Sequence, residues 1–331
     1  MPDVPGARRE PRPSVYSGGM SMPIATIEVP ASSANLGSGF DCFAAALSLK
    51  LRAELFHGDE AGVLLNAHGE GAPASTDDPE QNLLLRGFRE GLRLAHGAEQ
   101  GAGAWRIEVS SMIPSARGLG SSAAAIVAGL LLGAAAGRRA PDADELFTLA
   151  ATLEGHPDNV AAALYGGITL SVGRGLGEAP LLRRFRVPEA WIPVAFVAAA
   201  TSHTQGMRAA LPASVPHHEA AAASARAALL ATAVITSDAG LLRTAMDDRL
   251  HQPYRLPLLP GTAELIAAAY EHGAAGAALS GAGPSVLAIC DSPMSAHSVE
   301  KAWNAAGMAG MATRLRFDTG GARLSAAPED R

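Results

Sequence analysis

Hydrophobic and polar residues alternate over short stretches in the first half of the chain, and longer apolar or amphipathic segments lie between them. Alternation predicts a strand, whereas a periodic or continuous apolar run of more than about ten residues predicts a helix. The pattern predicts strands at 24–29, 47–56, 62–68, 105–109 and 168–172, and helices at 78–94, 123–136, 142–153 and 159–164.

The second half mixes the same two patterns. It predicts strands at 181–187, 193–198, 277–279, 285–290 and 313–317, and helices at 204–211, 217–236, 239–246, 263–272 and 294–306. Because strands and helices are mixed without a regular alternation, we expect an α+β fold. The glycine-rich segment 173–180 interrupts both patterns, and we place the boundary between an N-terminal lobe, 23–175, and a C-terminal lobe, 176–331, within it.

The composition narrows the class of protein. The 331 residues exceed the usual size of a single core, so we expect two domains or lobes with aliphatic cores, since only 5% of the residues are aromatic. A net charge of −6 lacks the basic excess of a nucleic-acid-binding protein, so we expect no nucleic-acid partner. Two cysteines, Cys42 and Cys290, are too few for a disulfide framework, which favours a cytoplasmic protein.

We expect no membrane segment and a disordered leader. The longest apolar run, 123–136, is shorter than the roughly 20 residues that span a bilayer. Residues 1–22 contain four prolines and three arginines and lack the apolar stretch of a signal peptide. We expect these residues to be dispensable, and Met20 or Met22 to be the true start.

The most informative stretch is 113–124, Ile-Pro-Ser-Ala-Arg-Gly-Leu-Gly-Ser-Ser-Ala-Ala. Its glycines let backbone N–H groups approach an anion, and the helix that follows adds unpaired donors and a partial positive charge. Ser121 or Ser122 is a candidate metal ligand. A small-residue turn capped by serine is the alternative. The only lysines, Lys50 and Lys301, follow no glycine loop, which excludes Walker-type NTPases and protein kinases.

Further polar segments lie at 30–41, 153–159, 201–208, 253–255 and 278–285. The first places Asn35 and Asp41 around a glycine turn, and the second gathers His156, Asp158 and Asn159 within four positions. An ordinary Asx turn, a helix cap at Asp158 and a plain hairpin are the structural alternatives for these segments. The functional interpretation is a convergent polar site with a second glycine loop near a phosphate.

Four of these segments, in order, resemble the kinase family named for galactokinase, homoserine kinase, mevalonate kinase and phosphomevalonate kinase, the GHMP kinases. They are 29–41, Val-Pro-Ala-Ser-Ser-Ala-Asn-Leu-Gly-Ser-Gly-Phe-Asp; 113–124; 154–161, Glu-Gly-His-Pro-Asp-Asn-Val-Ala; and 279–285, Leu-Ser-Gly-Ala-Gly-Pro-Ser. The similarity runs from about residue 24 to residue 317. The first and third segments are closest to the homoserine kinases within the family.

The resemblance implies a two-lobed fold with the active site between the lobes. It implies phosphoryl transfer from MgATP to the side-chain hydroxyl of L-homoserine, which gives O-phospho-L-homoserine on the route to threonine. The implied Mg²⁺ ligands are Ser122 and Glu154, and Asn82 is implied to meet the nucleotide. The implied phosphate-loop residues are Pro114, Ser115, Ala116, Arg117, Gly118, Leu119, Gly120, Ser121, Ser122 and Ala123. The implied substrate-binding residues are Asn35, Asp41, His156, Asp158, Asn159, Arg208 and Arg255.

The charges suit a zwitterionic amino acid. Carboxylates would bind its ammonium group, and arginines would clamp its carboxylate in a bidentate manner. The implied catalytic residues are Asn159, Glu154, Ser122 and Thr204, with Thr204 near the γ-phosphate. Asn159 stands where sibling enzymes carry an aspartate with a nearby lysine. Because asparagine cannot take a proton, we expect Asn159 to orient the hydroxyl and the proton to leave late, to the phosphate itself.

Two other interpretations stay open. One is a kinase for another small alcohol of the same family, and the other is a nucleotide-binding regulator without catalysis. The paired arginines and Asp41 disfavour an isoprenoid or sugar substrate, since neither is a zwitterion. Glu154, Ser122 and the loop glycines disfavour a regulator. The sequence leaves the oligomeric state open, and a homodimer is one option.

Overall fold

The computed structural model describes residues 22–70, 82–96, 103–173 and 180–326, and its strands form two sheets. The strands are β1 (Ala25–Asn35), β2 (Gly39–His57), β3 (Gly62–Gly69), β4 (Ala104–Ser111), β5 (Ile168–Val172), β6 (Leu181–Phe185), β7 (Ile192–Ala198), β8 (Gly276–Leu279), β9 (Val286–Cys290), β10 (Gly310–Arg314) and β11 (Arg323–Ala326). The leader predicted at 1–22 lies outside the described residues, except for Met22.

Ten α-helices and two turns of 3-10 helix occupy the described residues. The helices are α1 (Leu83–His96), α2 (Ser121–Ala136), α3 (Ala143–Glu154), α4 (Asp158–Tyr165), α5 (Thr204–Ala209), α6 (His217–Thr236), α7 (Leu242–Ala245), α8 (Gln252–Arg255), α9 (Thr262–Glu271) and α10 (Pro293–Ala305). The 3-10 turns are Ala239–Leu241 and Leu256–Leu258. The mixture of helices and sheets confirms the predicted α+β class.

The first sheet is built around the long strand β2. One edge of β2 pairs with β1, and the sheet runs in the order β11-β1-β2-β4-β3. Residues 51–57 of β2 pair with β4, whereas residues 43–45 pair with β5, which in turn pairs with β6. All pairs are antiparallel except β3 with β4. The early part of β2 therefore extends away from β4 and carries the residues that open the cleft described below.

Helix α2 is buried beside the first sheet and packs closely on α1. A Cβ atom on Gly129 would lie 2.1 Å from the carbonyl oxygen of Leu84, and one on Gly91 would lie 2.2 Å from that of Leu130. The two helices therefore approach backbone to backbone, which only glycine permits at these positions. This contact fixes the direction of α2, and thereby the position of its N-terminus.

The second sheet has the order β10-β7-β9-β8 and is antiparallel. One face is covered by α9 and α10, where the fully buried Trp303 donates a hydrogen bond from Nε1 to the carbonyl oxygen of Leu265 at 2.8 Å. The other face, with Leu287 and Ile289, belongs to the same core as the apolar residues of α2. A continuous apolar core therefore joins the two sheets.

The sequence pattern placed most elements but missed several. Strand β1 continues through residues 30–35, which were predicted as part of a turn. The strand predicted at 313–317 is wrong in position, since the structure has β10 at Gly310–Arg314. Helix α8 and strand β11 were not predicted. The predicted start of α1, at 78–81, lies outside the described residues.

The predicted division after residue 175 stays a prediction. Strands β6 and β11 lie beyond that residue and nevertheless belong to the first sheet. An ion pair between Lys50 and Asp318 fastens the end of the chain to β2. The C-terminal segment therefore returns to the first sheet after completing the second.

Among the described residues, one helix is long and apolar enough to cross a membrane by length and composition alone. This helix is α6, and 22% of its apolar window is buried. It packs through residues such as Leu230 and Ala233 and exposes Ile235. A single helix of this kind is weak support for a membrane span, and the expectation of no membrane partner stays a prediction.

Candidate active site

Polar segments from both halves of the chain line a cleft of about 340 Å³. Fourteen of the predicted site residues form part of its wall: Asn35, Asp41, Ala116, Gly118, Gly120, Ser121, Ser122, Glu154, His156, Asp158, Asn159, Thr204, Arg208 and Arg255. The remaining wall residues are Ala34, Leu83, Ser202, His203, Gly281, Ala282 and Gly283. The fold thus gathers segments that lie far apart in the sequence.

The glycine loop before α2 has the geometry of an anion site. Gly118 and Gly120 have φ values of 76° and 69°, in the left-handed region that favours glycine. Helix α2 begins directly after Gly120, at Ser121, and no side chain of the described residues caps it. The first N–H groups of a helix have no acceptor within the helix, so those of α2 are available to a phosphate at the cleft.

The second glycine loop, 280–285, supports the first. Ser280 Oγ donates to the carbonyl oxygen of Gly118 at 2.6 Å. Ser202 connects both loops, since its backbone N–H donates to the carbonyl oxygen of Ala116 at 2.8 Å and its Oγ donates to that of Gly283 at 2.6 Å. The loop is therefore more than a plain hairpin between β8 and β9. Its direct approach to a phosphate stays a prediction.

Ser122 and Glu154 form the candidate metal site. Ser122 Oγ donates to Glu154 Oε2 at 2.5 Å. Burial raises the pKa of Glu154 and the charge of Asp158 adds to this, while the hydrogen bond from Ser122 and the charge of His156 oppose it. A cation here would favour the carboxylate form, and both donors are the hard oxygen ligands that Mg²⁺ prefers. These residues therefore fit the ion.

The described residues contain no group of three or more histidine, cysteine, aspartate or glutamate side chains that could hold a metal. A hydroxyl and one carboxylate leave most positions of an octahedral ion to other ligands. Magnesium usually fills such positions with substrate phosphates and water. The pair of Ser122 and Glu154 therefore suits an ion that arrives with a nucleotide.

His156 and Asp158 form a tightly paired unit at the turn between α3 and α4. His156 Nδ1 lies 2.7 Å from Asp158 Oδ1, and this carboxylate also accepts from the backbone N–H of Asn159 at 2.6 Å. Burial lowers the pKa of His156, but the hydrogen bond and charge of Asp158 and the charge of Glu154 outweigh burial and raise the pKa overall. Asp158 is 1% exposed, so its charge lies where a ligand ammonium would gain most from it.

Asn159 is oriented by a hydroxyl from β1. Ser32 Oγ donates to Asn159 Oδ1 at 2.8 Å, and Ser32 is fully buried. Asn159 lies at the cleft wall, at the start of α4. Because its carboxamide oxygen is already engaged, the amide nitrogen is the group that remains to serve the cleft.

Asp41 and Arg208 bring opposite charges together across the cleft. Arg208 Nη1 donates to Asp41 Oδ2 at 2.9 Å, and Nη2 donates to Oδ1 at 2.6 Å. The Asp41 side chain is 35% exposed and the Arg208 side chain is 38% exposed. The hydrogen bond and charge of Asp41 raise the pKa of Arg208, while burial opposes this. The predicted ammonium site and one predicted carboxylate site therefore satisfy each other in this structure.

Arg255 is 2% exposed and stands behind this pair. It donates from Nη1 to the carbonyl oxygen of Gly281 at 3.2 Å and from Nε to that of Met207 at 3.3 Å. Burial lowers the pKa of Arg255, and the nearby charge of Arg208 lowers it further. Two guanidinium groups close together make this corner of the cleft suitable for an anion.

Asn35 holds the turn between β1 and β2. Its Nδ2 donates to the carbonyl oxygen of Gly281 at 3.0 Å, and its Oδ1 accepts from the backbone N–H of Asp41 at 3.1 Å. Asn35 and Asp41 have positive φ values of 73° and 56°, which asparagine and aspartate tolerate better than most residues. Asn35 therefore positions Asp41, and its predicted contact with a substrate stays a prediction.

The other predicted residues are not part of the cleft wall. Asn82 Oδ1 accepts from the backbone N–H groups of Leu84 and Leu85 at 3.1 and 3.2 Å, so this side chain caps α1. Leu119 and Ala123 are core residues. The guanidinium of Arg117 donates to the carbonyl oxygen of Ala199, and Pro114 precedes the turn that begins at Ser115. Nucleotide contacts by these residues stay predictions.

Several residues of the site were not selected from the sequence. Ser32 and Ser202 lie within segments noted for polar residues, but nothing distinguished these hydroxyls from their neighbours. Phe40 lies under both arginines, with the Arg208 and Arg255 guanidinium carbons 5.7 and 5.3 Å from its ring centre. His251 stacks on Phe40 at 5.1 Å. His251 lies directly before α8, four residues from Arg255, and the sequence pattern predicted no helix there.

Family models decide the class of protein. Residues 82–167 match the GHMP kinases N terminal domain, and residues 225–308 match the GHMP kinases C terminal region. The chain belongs to the GHMP kinase family. The matched regions contain the glycine loop, Glu154 and Asn159 in the first case, and Arg255 with the second glycine loop in the other.

Curated relatives within this family are similar over most of the chain. A homoserine kinase of Moorella thermoacetica is 41% identical over 267 residues, which cover 80% of this chain and 86% of the relative. A homoserine kinase of Streptomyces avermitilis is 41% identical over 301 residues, which cover 90% of this chain and 94% of the relative. The crystal structure of homoserine kinase from Cytophaga hutchinsonii aligns with a TM-score of 0.79 at 24% identity, covering 94% of this chain and 100% of that one. This last likeness shows the GHMP kinase fold.

Proposed function

We propose that the protein is an ATP-dependent homoserine kinase that phosphorylates the side-chain hydroxyl of L-homoserine. The observation that carries the proposal is the single cleft that holds a helix N-terminus, the Ser122–Glu154 pair and the opposite charges of Asp41 and Arg208. The curated relatives of the same family named homoserine kinase support it.

The phosphates of ATP are proposed to lie at the N-terminus of α2. The left-handed glycines Gly118 and Gly120 bring backbone N–H groups toward the cleft, and the helix start adds a partial positive charge. Ser122 and Glu154 would hold Mg²⁺, which when bound neutralises charge on the β- and γ-phosphates. Thr204, at the start of α5 on the cleft wall, is proposed to contact the γ-phosphate.

Asp41 and Arg208 bind each other in this structure, and the amino-acid substrate is proposed to separate them and bind both. Its ammonium would take the place of Arg208 beside Asp41, with Asp158 as a second carboxylate, and its carboxylate would bind Arg208 and Arg255. The Asp41–Arg208 pair is about a third exposed, so its net contribution is small and the exchange costs little.

The transfer itself depends on positioning. The hydroxyl oxygen of homoserine attacks the γ-phosphorus, the bond from that phosphorus to the bridging oxygen breaks, and ADP leaves. Asn159 donates from Nδ2 to the attacking oxygen and cannot accept its proton. The proton therefore passes to an oxygen of the transferred phosphoryl group, late in the step. Most of the rate gain then comes from fixed geometry and electrostatics, as is usual for phosphoryl transfer.

A coupled assay of ADP release tests the proposal. The rate is measured with homoserine, with mevalonate, with galactose and without acceptor, for the native protein and for Glu154→Gln. We expect release that depends on homoserine, and a loss of several orders of magnitude in turnover for the isosteric variant while its melting temperature holds. A preference for another alcohol, or near-normal turnover of Glu154→Gln at saturating Mg²⁺, would contradict the corresponding part of the proposal.

A further inference from the structure

Ser32 is a buried hydroxyl that connects three elements of the site. It lies in β1 and is fully buried. Its backbone N–H donates to the carbonyl oxygen of Leu119 at 3.1 Å, in the glycine loop. Its Oγ donates to Asn159 Oδ1 at 2.8 Å, at the start of α4. The phosphate side of the cleft and the acceptor side are therefore joined through one residue.

The hydrogen bond from Ser32 determines which end of the Asn159 amide meets the cleft. The oxygen and nitrogen of a carboxamide lie in one plane and point to opposite sides of the Cβ–Cγ axis. With Oδ1 held by Ser32, Nδ2 is turned away from β1, and Asn159 itself lines the cleft. Within the described part of the chain, Nδ2 donates to no acceptor. It is not one of the buried polar atoms that lack a partner. It is available to a ligand as a donor.

The glycine loop is shaped around this hydroxyl. A Cβ atom on Gly120 would lie 2.0 Å from Ser32 Oγ, far inside the contact distance of any two such atoms. Gly120 therefore leaves the space that the hydroxyl occupies, immediately before the first turn of α2. A shift of the loop would move Ser32, and a shift of Ser32 would release Asn159.

We propose that Ser32 is a positioning residue that holds the Asn159 amide with its NH₂ group toward the acceptor hydroxyl and ties it to the glycine loop. The inference rests on the proposed function, since it assigns the direction of that amide in the transfer step. Without the Ser32 hydroxyl the amide can turn by half a rotation and present Oδ1 to the cleft. The substrate hydroxyl would then donate to Oδ1, which directs its proton to a group that cannot take it and away from the phosphoryl oxygen that receives it in the proposed transfer.

Kinetics of Ser32→Ala distinguish positioning from a general loss of structure. We expect kcat to fall about ten-fold or more, as for the loss of one oriented hydrogen bond, with little change in the KM for ATP or homoserine. Ser171→Ala is the matched control, because Ser171 is fully buried like Ser32 and also donates a hydrogen bond from Oγ. Its acceptor is the backbone carbonyl oxygen of Cys42, and Ser171 is not part of the cleft wall. If Ser32→Ala does not fold, Ser32→Thr, which keeps the hydroxyl, is measured in its place.

A double-mutant cycle with Asn159→Ala decides whether Ser32 acts through Asn159. We expect Ser32→Ala to cost little further kcat once Asn159 is replaced, since the amide it orients is gone. If Ser32 only holds β1 and α4 together, the two substitutions should instead give additive losses of kcat. Additive losses, or a Ser32→Ala variant with unchanged kcat, would overturn the proposal.

A spectroscopic readout separates this inference from the proposed function. The side-chain amide signals of Asn159 are identified in a ¹⁵N-correlated NMR spectrum by their absence in Asn159→Ala. We expect them to shift and to exchange faster with water in Ser32→Ala, but not in Ser171→Ala. If homoserine is not phosphorylated, the proposed function fails and this spectrum still tests the hydrogen bond. Unchanged Asn159 signals in Ser32→Ala would overturn the assignment whatever the substrate.

Discussion

The pairing of Asp41 with Arg208 is the residue-scale feature that most affects substrate choice. Both groups face the cleft and neutralise each other through two hydrogen bonds. A ligand with only one charge would replace one partner and leave the other group without a counter-ion. A zwitterion would replace both at once, so under the proposed function the pair favours an amino-acid substrate.

Replacement of either arginine should weaken homoserine much more than ATP. A desolvated anion that loses a cationic partner costs roughly 2–5 kcal/mol, so we expect Arg208→Ala and Arg255→Ala to weaken homoserine about ten-fold to a few thousand-fold. Homoserinol, which lacks the carboxylate, should lose much less. Binding of both compounds is measured by calorimetry, with Arg249→Ala at a surface ion pair as the control. Equal losses for homoserine and homoserinol would remove the arginines from carboxylate recognition.

His251 should make stability depend on pH. Its Nε2 lies 3.0 Å from the carbonyl oxygen of Gly37, and Arg255 Nη1 lies 3.4 Å from its Nδ1, so the ring fits between them as a neutral group. Burial lowers the pKa of His251, although Asp248 opposes this. The unfolded chain therefore takes up a proton first, near pH 6.5, as the pH falls. The stability that His251 contributes is complete above that pH and is lost between it and the lower pKa of the folded state.

Urea unfolding from pH 7.5 to pH 5.5 tests this dependence. We expect the free energy of unfolding of the native protein to fall more steeply than that of His251→Gln, by at most about 1.4 kcal/mol per pH unit, the limit for one proton. Carboxylates common to both proteins cancel in the difference. Parallel curves would show that His251 titrates alike in the folded and unfolded chains.

At the scale of elements, the site depends on two glycine loops that pack against each other. A Cβ atom on Gly118 would lie 2.2 Å from the carbonyl oxygen of Ser280, which belongs to the backbone of the second loop and cannot move aside alone. The φ of Gly118 is 76°. Steric conflict and backbone strain therefore act together at this position.

Gly118→Ala and Gly307→Ala separate these two effects. Gly307 has nearly the same φ, 73°, but no atom within 4 Å of the added Cβ. We expect Gly307→Ala to cost only about 1–2 kcal/mol of stability and no activity. Gly118→Ala should in addition raise the KM for ATP and lower turnover at least ten-fold. Melting temperatures and kinetics of both variants are compared, and equal behaviour would show that the loops are not in tight contact.

The elements with a clear local hydrophobic pattern, periodic or continuous, were predictable, and the others were not. Helix α2 and strand β4 follow their local hydrophobic pattern. Strand β11 has only four residues, and its pairing with β1 joins positions about 300 residues apart, a contact that no local pattern encodes. Strand β10 begins with Gly310 and Met311, which have weak strand preference, and it forms because β7 offers an edge.

The same limit applies to the site. The segments that line it were predictable because glycines, hydroxyls and charges are concentrated in them. The partners within it were not, since Ser32 meets Asn159 and Asp41 meets Arg208 only after the chain has folded. The sequence could therefore suggest which residues gather, but not that the two charged groups would satisfy each other.

At the scale of the whole molecule, the chain closes by returning to its first sheet. Strand β11 covers the free edge of β1, and Asp318 binds Lys50 and accepts from the backbone N–H groups of Gly320 and Gly321. Strand β1 ends at the cleft with Asn35. Stability of the end of the chain is thereby linked to the strand that carries Ser32.

Two shortened proteins test this closure. One ends at residue 326 and keeps β11, and the other ends at residue 322 and lacks it, so both lack residues 327–331. We expect the shorter protein to melt at a lower temperature, because four paired residues are lost and 1 kcal/mol corresponds to about 2–4 °C in domains of 150–250 residues. Identical melting temperatures would show that β11 adds nothing to the first sheet.

The most direct test of the central claim is identification of the product by ³¹P NMR. The protein is incubated with MgATP and equal concentrations of L-homoserine, mevalonate and galactose, and the spectrum is compared with authentic O-phospho-L-homoserine. The account predicts one new phosphomonoester signal, that of O-phospho-L-homoserine, which grows in step with ADP. A phosphomonoester of another alcohol, or ADP and inorganic phosphate without any phosphomonoester, would contradict it.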